Sequence, residues 1–159
     1  MAVSIEMHLE FLDKFKDPYM REKNPVGRGV FLAGIVFGMI AWEQKKKIGC
    51  SIDATPMYKQ LHFGRMLRRD LRHLMGRVPE LTRAYDIPNA WRIESLCGEA
   101  GKLLLEGESK DLGVDGNFVF TVAFLNAWDY FSKIFSDDGP SDKGQQLDLF
   151  GELNDESGK

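Results

Sequence analysis

The sequence predicts an all-α fold: a bundle of about five to six helices, followed by a disordered acidic C-terminal tail. Three observations carry that expectation. Apolar residues recur at helical intervals along most of the chain. No alternating strand pattern of useful length interrupts them. Prolines stand just after capping residues, at Asn24-Pro25 and Thr55-Pro56, where helices begin.

Taken in order, Ser4 caps a first helix with apolar residues Ile5, Leu9, Leu12 and Phe15, and Asp17-Pro18 ends or bends it. A second helix starts at Pro25 and runs to about Lys47, with Val26, Val30, Ala33, Phe37, Ile40 and Ala41 in one stripe. Gly34 and Gly38 share a face of it, which lets another helix backbone approach closely. Lys45, Lys46 and Lys47 suit its C-terminus, where cations meet the helix dipole. They also form a secondary basic patch. Thr55-Pro56 opens a third helix, with Gly64 as a candidate interruption. The stretch Arg65–Val78 that follows is strongly amphipathic: Leu67, Leu71 and Leu74 face one way, and Arg65, Arg68, Arg69 and Arg72 the other. Pro79–Tyr85 and Pro88–Leu105 read as further helices. Asp115-Gly116-Asn117 reads as a turn, and Phe118–Phe135 as one final apolar helix.

A length of 159 residues fits one domain. The expected organisation is a helical bundle over residues 1–135 and a flexible acidic tail over 136–159. The N-terminus lacks the basic and apolar regions of a signal peptide. The longest apolar run, Val30–Trp42, is shorter than the roughly 20 residues a spanning helix needs. A cytoplasmic protein without membrane contact is therefore expected. Cys50 and Cys97 form no CxxC pair and read as free thiols.

The formal charge of −3 averages two opposed regions. Residues 59–92 carry eight Lys/Arg against three Asp/Glu, whereas residues 137–159 carry two against seven. Nucleotide-binding glycine motifs, a GxSxG elbow and an HExxH pair are all lacking. Asp70 and His73 have the spacing of half a di-metal ligand set, but no second copy accompanies them. No catalytic residues, metal site or cofactor are expected, and the protein is not expected to be an enzyme.

The informative feature is the basic face made of Lys59, Arg65, Arg68, Arg69, Arg72 and Arg77. Guanidinium forks match phosphate oxygens, so such a face tracks a nucleic-acid backbone without reading bases. A solvated helix face ion-paired to acidic segments is the competing reading. The nearby aromatics Tyr58, Phe63, Tyr85 and Trp91 could stack on bases, but core packing is the more common fate of such residues.

The segments FLAGIVFGMIAWEQKKK and TPMYKQLHFGRMLRRDLRHLMGRVPELTRAY, with the helical C-terminus to Phe135, resemble the C-terminal region of large subunits of type I-B-like CRISPR effector complexes (Cascade). That region corresponds to the small subunit of such complexes, and a chain beginning at Met1 looks like the free-standing form. The resemblance implies a non-enzymatic helical bundle whose partners are the large subunit, the guide-RNA-bearing backbone subunits and further copies of itself. It also implies contact with the displaced non-target DNA strand, which stabilises the R-loop. Matching the basic pattern are Lys59, Arg65, Arg68, Arg69, Arg72 and Arg77.

In the tail, Gln146, Leu147, Asp148, Leu149 and Phe150 resemble the short motif by which bacterial proteins bind the DNA sliding clamp. A short apolar plug that docks on this bundle or a neighbouring copy is the other reading. The alternative function is thus a structural adaptor whose basic face binds an acidic protein, or whose tail binds the clamp.

Overall fold

The computed structural model describes Met7, residues 9–15, Met20 and residues 24–106 and 112–135. The predicted acidic tail, with Gln146, Leu147, Leu149 and Phe150, lies outside the described residues. Of the predicted first helix, residues 7 and 9–15 are described, and they hold a 3₁₀ turn, Glu10–Lys14, with Phe15 already extended after it, rather than an α-helix. Among the described residues the architecture is all-α, with seven α-helices, six of them at least seven residues long.

Helix α1 (Pro25–Ile48) is the centre of the bundle. Asn24 caps it, its Oδ1 accepting the Gly27 N–H at 3.4 Å, and Pro25 occupies the first turn, where no hydrogen-bonding N–H is needed. Gly49, with φ +80°, ends it in the left-handed conformation that a side chain would strain. Between these ends the helix is apolar nearly all round. It is long and apolar enough to cross a membrane by composition, yet most of it is buried inside this bundle, as a core helix should be.

Three partners bury α1: α5 (Ala90–Leu105), α6 (Gly113–Leu125) and α7 (Ala127–Ile134). The predicted close approach at Gly34 and Gly38 is present. A Cβ at Gly34 would lie 2.7 Å from the Phe120 carbonyl oxygen, and one at Gly38 would lie 2.5 Å from that of Phe124. Gly29 does the same toward Ala100 and Leu104 of α5. Aromatic rings fill the remaining space: Phe15, Phe31 and Tyr130 cluster at one place, and Phe37, Tyr58, Phe63, Phe120 and Phe124 at another.

Two further elements differ from the sequence expectation. The final apolar run is not one helix, because α6 stops at Leu125 and α7 restarts at Ala127. Asn126 makes the joint: its side-chain amide bonds back to the Val122 carbonyl at 2.9 Å, competing with the helical ladder. Asp115-Gly116-Asn117 is not a turn but lies inside α6, with Gly116 and Asn117 buried. The candidate interruption at Gly64 is present. Helix α2 (Pro56–Gln60) ends before Gly64, whose φ is +87°, and α3 (Arg68–Met75) begins after it. Helix α4 (Val78–Ala84) follows, and both α3 and α4 pack on α5.

Candidate nucleic-acid interface

The basic stretch is positioned by two buried side-chain amides. Gln44, fully buried on α1, accepts the Met57 N–H through Oε1 at 2.8 Å. With Thr55 Oγ1, which accepts the Tyr58 N–H at 3.2 Å, it caps α2 and so places Lys59. Asn117 of α6 grips the backbone of Met66 from both sides: Oδ1 accepts its N–H at 2.6 Å and Nδ2 donates to its carbonyl at 3.3 Å. That two-point grip anchors the link between α2 and α3, which turns at Gly64, and fixes where the arginine helix starts.

Helix α3 then opens on Leu67, whose N–H donates to Asp70 Oδ2 at 2.9 Å. Leu67 has no side-chain oxygen to return the bond, so this is half of a capping box. Asp70, the one acid between Lys59 and Arg77, is thereby committed to the helix N-terminus, where its charge also suits the dipole. Leu71, Leu74 and Met75 go into the core as the amphipathic pattern requires.

The six sequence-predicted residues divide in two. Lys59, Arg65, Arg69 and Arg72 are exposed, and their side chains make no ion pair or hydrogen bond with the described residues. Arg65 sits in the link before α3 rather than on the helix itself. Arg69 and Arg72 lie on the rims of two grooves that flank α3. One groove, lined also by His62 and His73, has a volume of about 580 Å³; the other, against α4 and α5, about 400 Å³. The remaining two residues are tied inward. Arg68 donates from Nη2 to the Leu104 carbonyl at the end of α5, answering a C-terminal carbonyl with a cation. Arg77 donates to Gln60 Oε1 at 3.0 Å and pairs with Glu80 at 3.7 Å.

The lysine patch is similarly occupied. Lys46 pairs with the buried Glu43 at 3.1 Å, Lys47 reaches the Asp86 carbonyl at 3.3 Å, and Lys45 stands 5.0 Å over the Trp42 ring. Tyr58 and Phe63 are core rings, packed on each other at 5.0 Å and on Phe124. Trp91 is 44% exposed and stacks under the Arg92 guanidinium at 5.1 Å.

Cys50 and Cys97 are free thiols. Cys97 lines the groove between α3, α4 and α5 together with Glu94. Burial, and then the Glu94 carboxylate, push its thiol up to about 11. The thiolate is the reactive form, so this cysteine is an inert one at neutral pH. Among the described residues no three His, Cys, Asp or Glu side chains gather as metal ligands, and Asp70 with His73 remains an isolated pair.

Sequence reasoning missed Gln44 and Asn117. The signal available for Asn117 was its place at the head of an apolar run, since a buried amide there needs partners. Its partner lies 51 residues away in sequence.

No curated protein and no solved structure matches the chain. One family model does, described as the CRISPR-associated protein TM1802 (cas_TM1802) C-terminal domain, over residues 3–132. That span takes in the central helix, the arginine helix and nearly all of the bundle, so the chain belongs to this CRISPR-associated family.

Proposed function

We propose that the chain is a non-catalytic component of a type I, I-B-like, Cascade complex in the cytoplasm. In this reading it is the small subunit, assembled with the large subunit, the guide-RNA-bearing backbone subunits and further copies of itself. Its α3 face holds the sugar-phosphate backbone of the displaced non-target strand. One observation supports this above the others. Lys59, Arg65, Arg69 and Arg72 are exposed and unneutralised along one stretch, while its single acid is consumed by a helix cap. Unpaired surface cations confer no stability on the bundle, whereas they bind phosphates by releasing counterions. The R-loop is a near-balanced exchange of duplexes, so a few backbone contacts are enough to tip it.

The test uses the assembled complex. Arg65→Glu, Arg69→Glu and Arg72→Glu together leave Arg68 and its bond to Leu104 intact. Target-DNA binding is expected to weaken at least ~10-fold at physiological salt, and the slope of log affinity against log salt to fall by about 2, at about 0.7 per single-strand phosphate. An unchanged R-loop lifetime in a normally assembled complex refutes the reading. It would favour the adaptor alternative, in which the same cations meet an acidic protein surface.

A further inference from the structure

A second surface is built from different chemistry. Trp42 of α1, Leu125 at the end of α6 and Trp128 in the first turn of α7 are 38%, 63% and 57% exposed. They come from three elements yet wall one groove of about 360 Å³. The groove exists because Gly38 lets the α6–α7 joint sit against α1, bringing the two tryptophans to its two sides. Its charged residues are Lys45 and Asp129. Asp129 pairs with Lys133 at 3.7 Å, whereas Lys45 has no acidic partner among the described residues and rests over the Trp42 ring. The surface therefore asks for an apolar group beside a carboxylate. Aromatic-walled apolar patches of this kind are typically covered by a partner.

We infer that the occupant is the chain's own segment Gln146–Phe150, with Leu149 and Phe150 between Trp42 and Trp128 and Asp148 toward Lys45. Tether, composition and charge support this. The described chain ends at Phe135, one residue past α7, the helix whose first turn forms a wall of the groove. Phe135 lies about 10 Å along that helix from Trp128 at ~1.5 Å per residue. The ten residues from Ser136 to Gln145 span at most about 36 Å when extended. Reach is ample, and a linker this short gives an effective concentration in the millimolar range, so even a weak contact is populated. The only large apolar side chains in residues 136–159 are Leu147, Leu149, Phe150 and Leu153, and residues 137–159 hold seven acids against two lysines. That is the complement of an apolar groove edged by Lys45.

The experiment replaces Phe150 in the full chain with photoreactive benzoylphenylalanine. The protein is irradiated at low micromolar concentration and the cross-linked peptides are mapped by mass spectrometry. The expected products are monomer-sized, joined within residues 42–45 or 125–129, and reduced at least five-fold by Trp42→Ala or Trp128→Ala. Independently, Leu147→Ser, Leu149→Ser and Phe150→Ser together should raise acrylamide quenching of tryptophan fluorescence about 1.5-fold or more. Circular dichroism of each variant checks that the helix content is that of the parent. Cross-links to other surfaces, no cross-links, or only dimer-sized products from the tail of a second copy overturn the inference. So does unchanged quenching.

Discussion

Glycine to alanine is expected to change stability in opposite directions at two positions of this bundle. At Gly38 a Cβ would stand 2.5 Å from both the Phe124 carbonyl oxygen and the Ala127 Cβ, where ordinary contact begins at 3.4 Å. About 0.9 Å must therefore be found by moving the α6–α7 joint off α1, and the nearest atoms include backbone that cannot rotate away. Overpacking of this kind costs about 1–3 kcal/mol and sometimes more. Alanine recovers about 0.8–1.0 kcal/mol of helix propensity. With the clash at the upper end of its range, the net loss is about 2 kcal/mol. At Gly98 of α5 nothing lies within 4 Å, so the clash is absent and only the gain of about 0.5–1 kcal/mol remains. For a chain of this size each kcal/mol moves the melting midpoint by about 2–4 °C. Gly38→Ala should melt about 4–8 °C below the parent and Gly98→Ala about 1–4 °C above it. Circular dichroism melts, checked against urea titrations for coincident transitions, read both. A Gly38→Ala protein at or above the parental midpoint would refute the argument that α1 meets α6 and α7 backbone to backbone.

Other predictions follow from single side chains. Asn117→Ala leaves both polar groups of the Met66 backbone without their partner and should cost about 1–3 kcal/mol. Under the proposed function the same variant should also weaken target-DNA binding in the complex, because the start of α3 is no longer fixed; binding unchanged at full folding would separate the two roles. Cys97 should alkylate at least ~100-fold more slowly at pH 8 in the folded chain than in urea, and Glu94→Gln should speed it by removing the second cause of its raised pKa. Mass spectrometry of iodoacetamide-treated protein measures both rates, and labelling at the unfolded rate contradicts the burial argument. The same thiol holds its proton more tightly folded than unfolded, so it stabilises the fold below about pH 9. That contribution declines as pH rises toward about 11. A urea midpoint for Cys97→Ser that falls just as steeply over this window assigns the decline to other groups.

What could be read from the sequence was whatever is decided locally. Asn24-Pro25 begins a helix because a cap and a fixed φ suffice, and Gly34 with Gly38 announces a close neighbour without naming it. Helix breaks were harder. Gly64 signals one through its permissive backbone. Asn126 breaks a run of apolar residues by a side-chain bond that many helical asparagines do not make. Asn117 was misread as part of a turn because turn propensity is a local average, and its hydrogen bonds to Met66 are a tertiary fact that overrides it. The basic face was legible as charge but not as geometry. Arg68 looks like its neighbours in the sequence, and only the arrival of the α5 C-terminus beside it gives its guanidinium the Leu104 carbonyl to answer.

The central position of α1 has a consequence for synthesis. It is made early, yet the helices that cover it, α5, α6 and α7, all come later, with α7 ending at Ile134. At ~5–20 residues per second, the roughly 86 residues separating Ile48 from Ile134 take about 4–17 s to translate. Until α5 is made one face of this helix lacks its cover, and until α6 and α7 follow the other does; by length and hydropathy the bare helix would pass for a membrane anchor. Shortening the gene from its 3′ end exposes α1 permanently long before it removes the arginine helix.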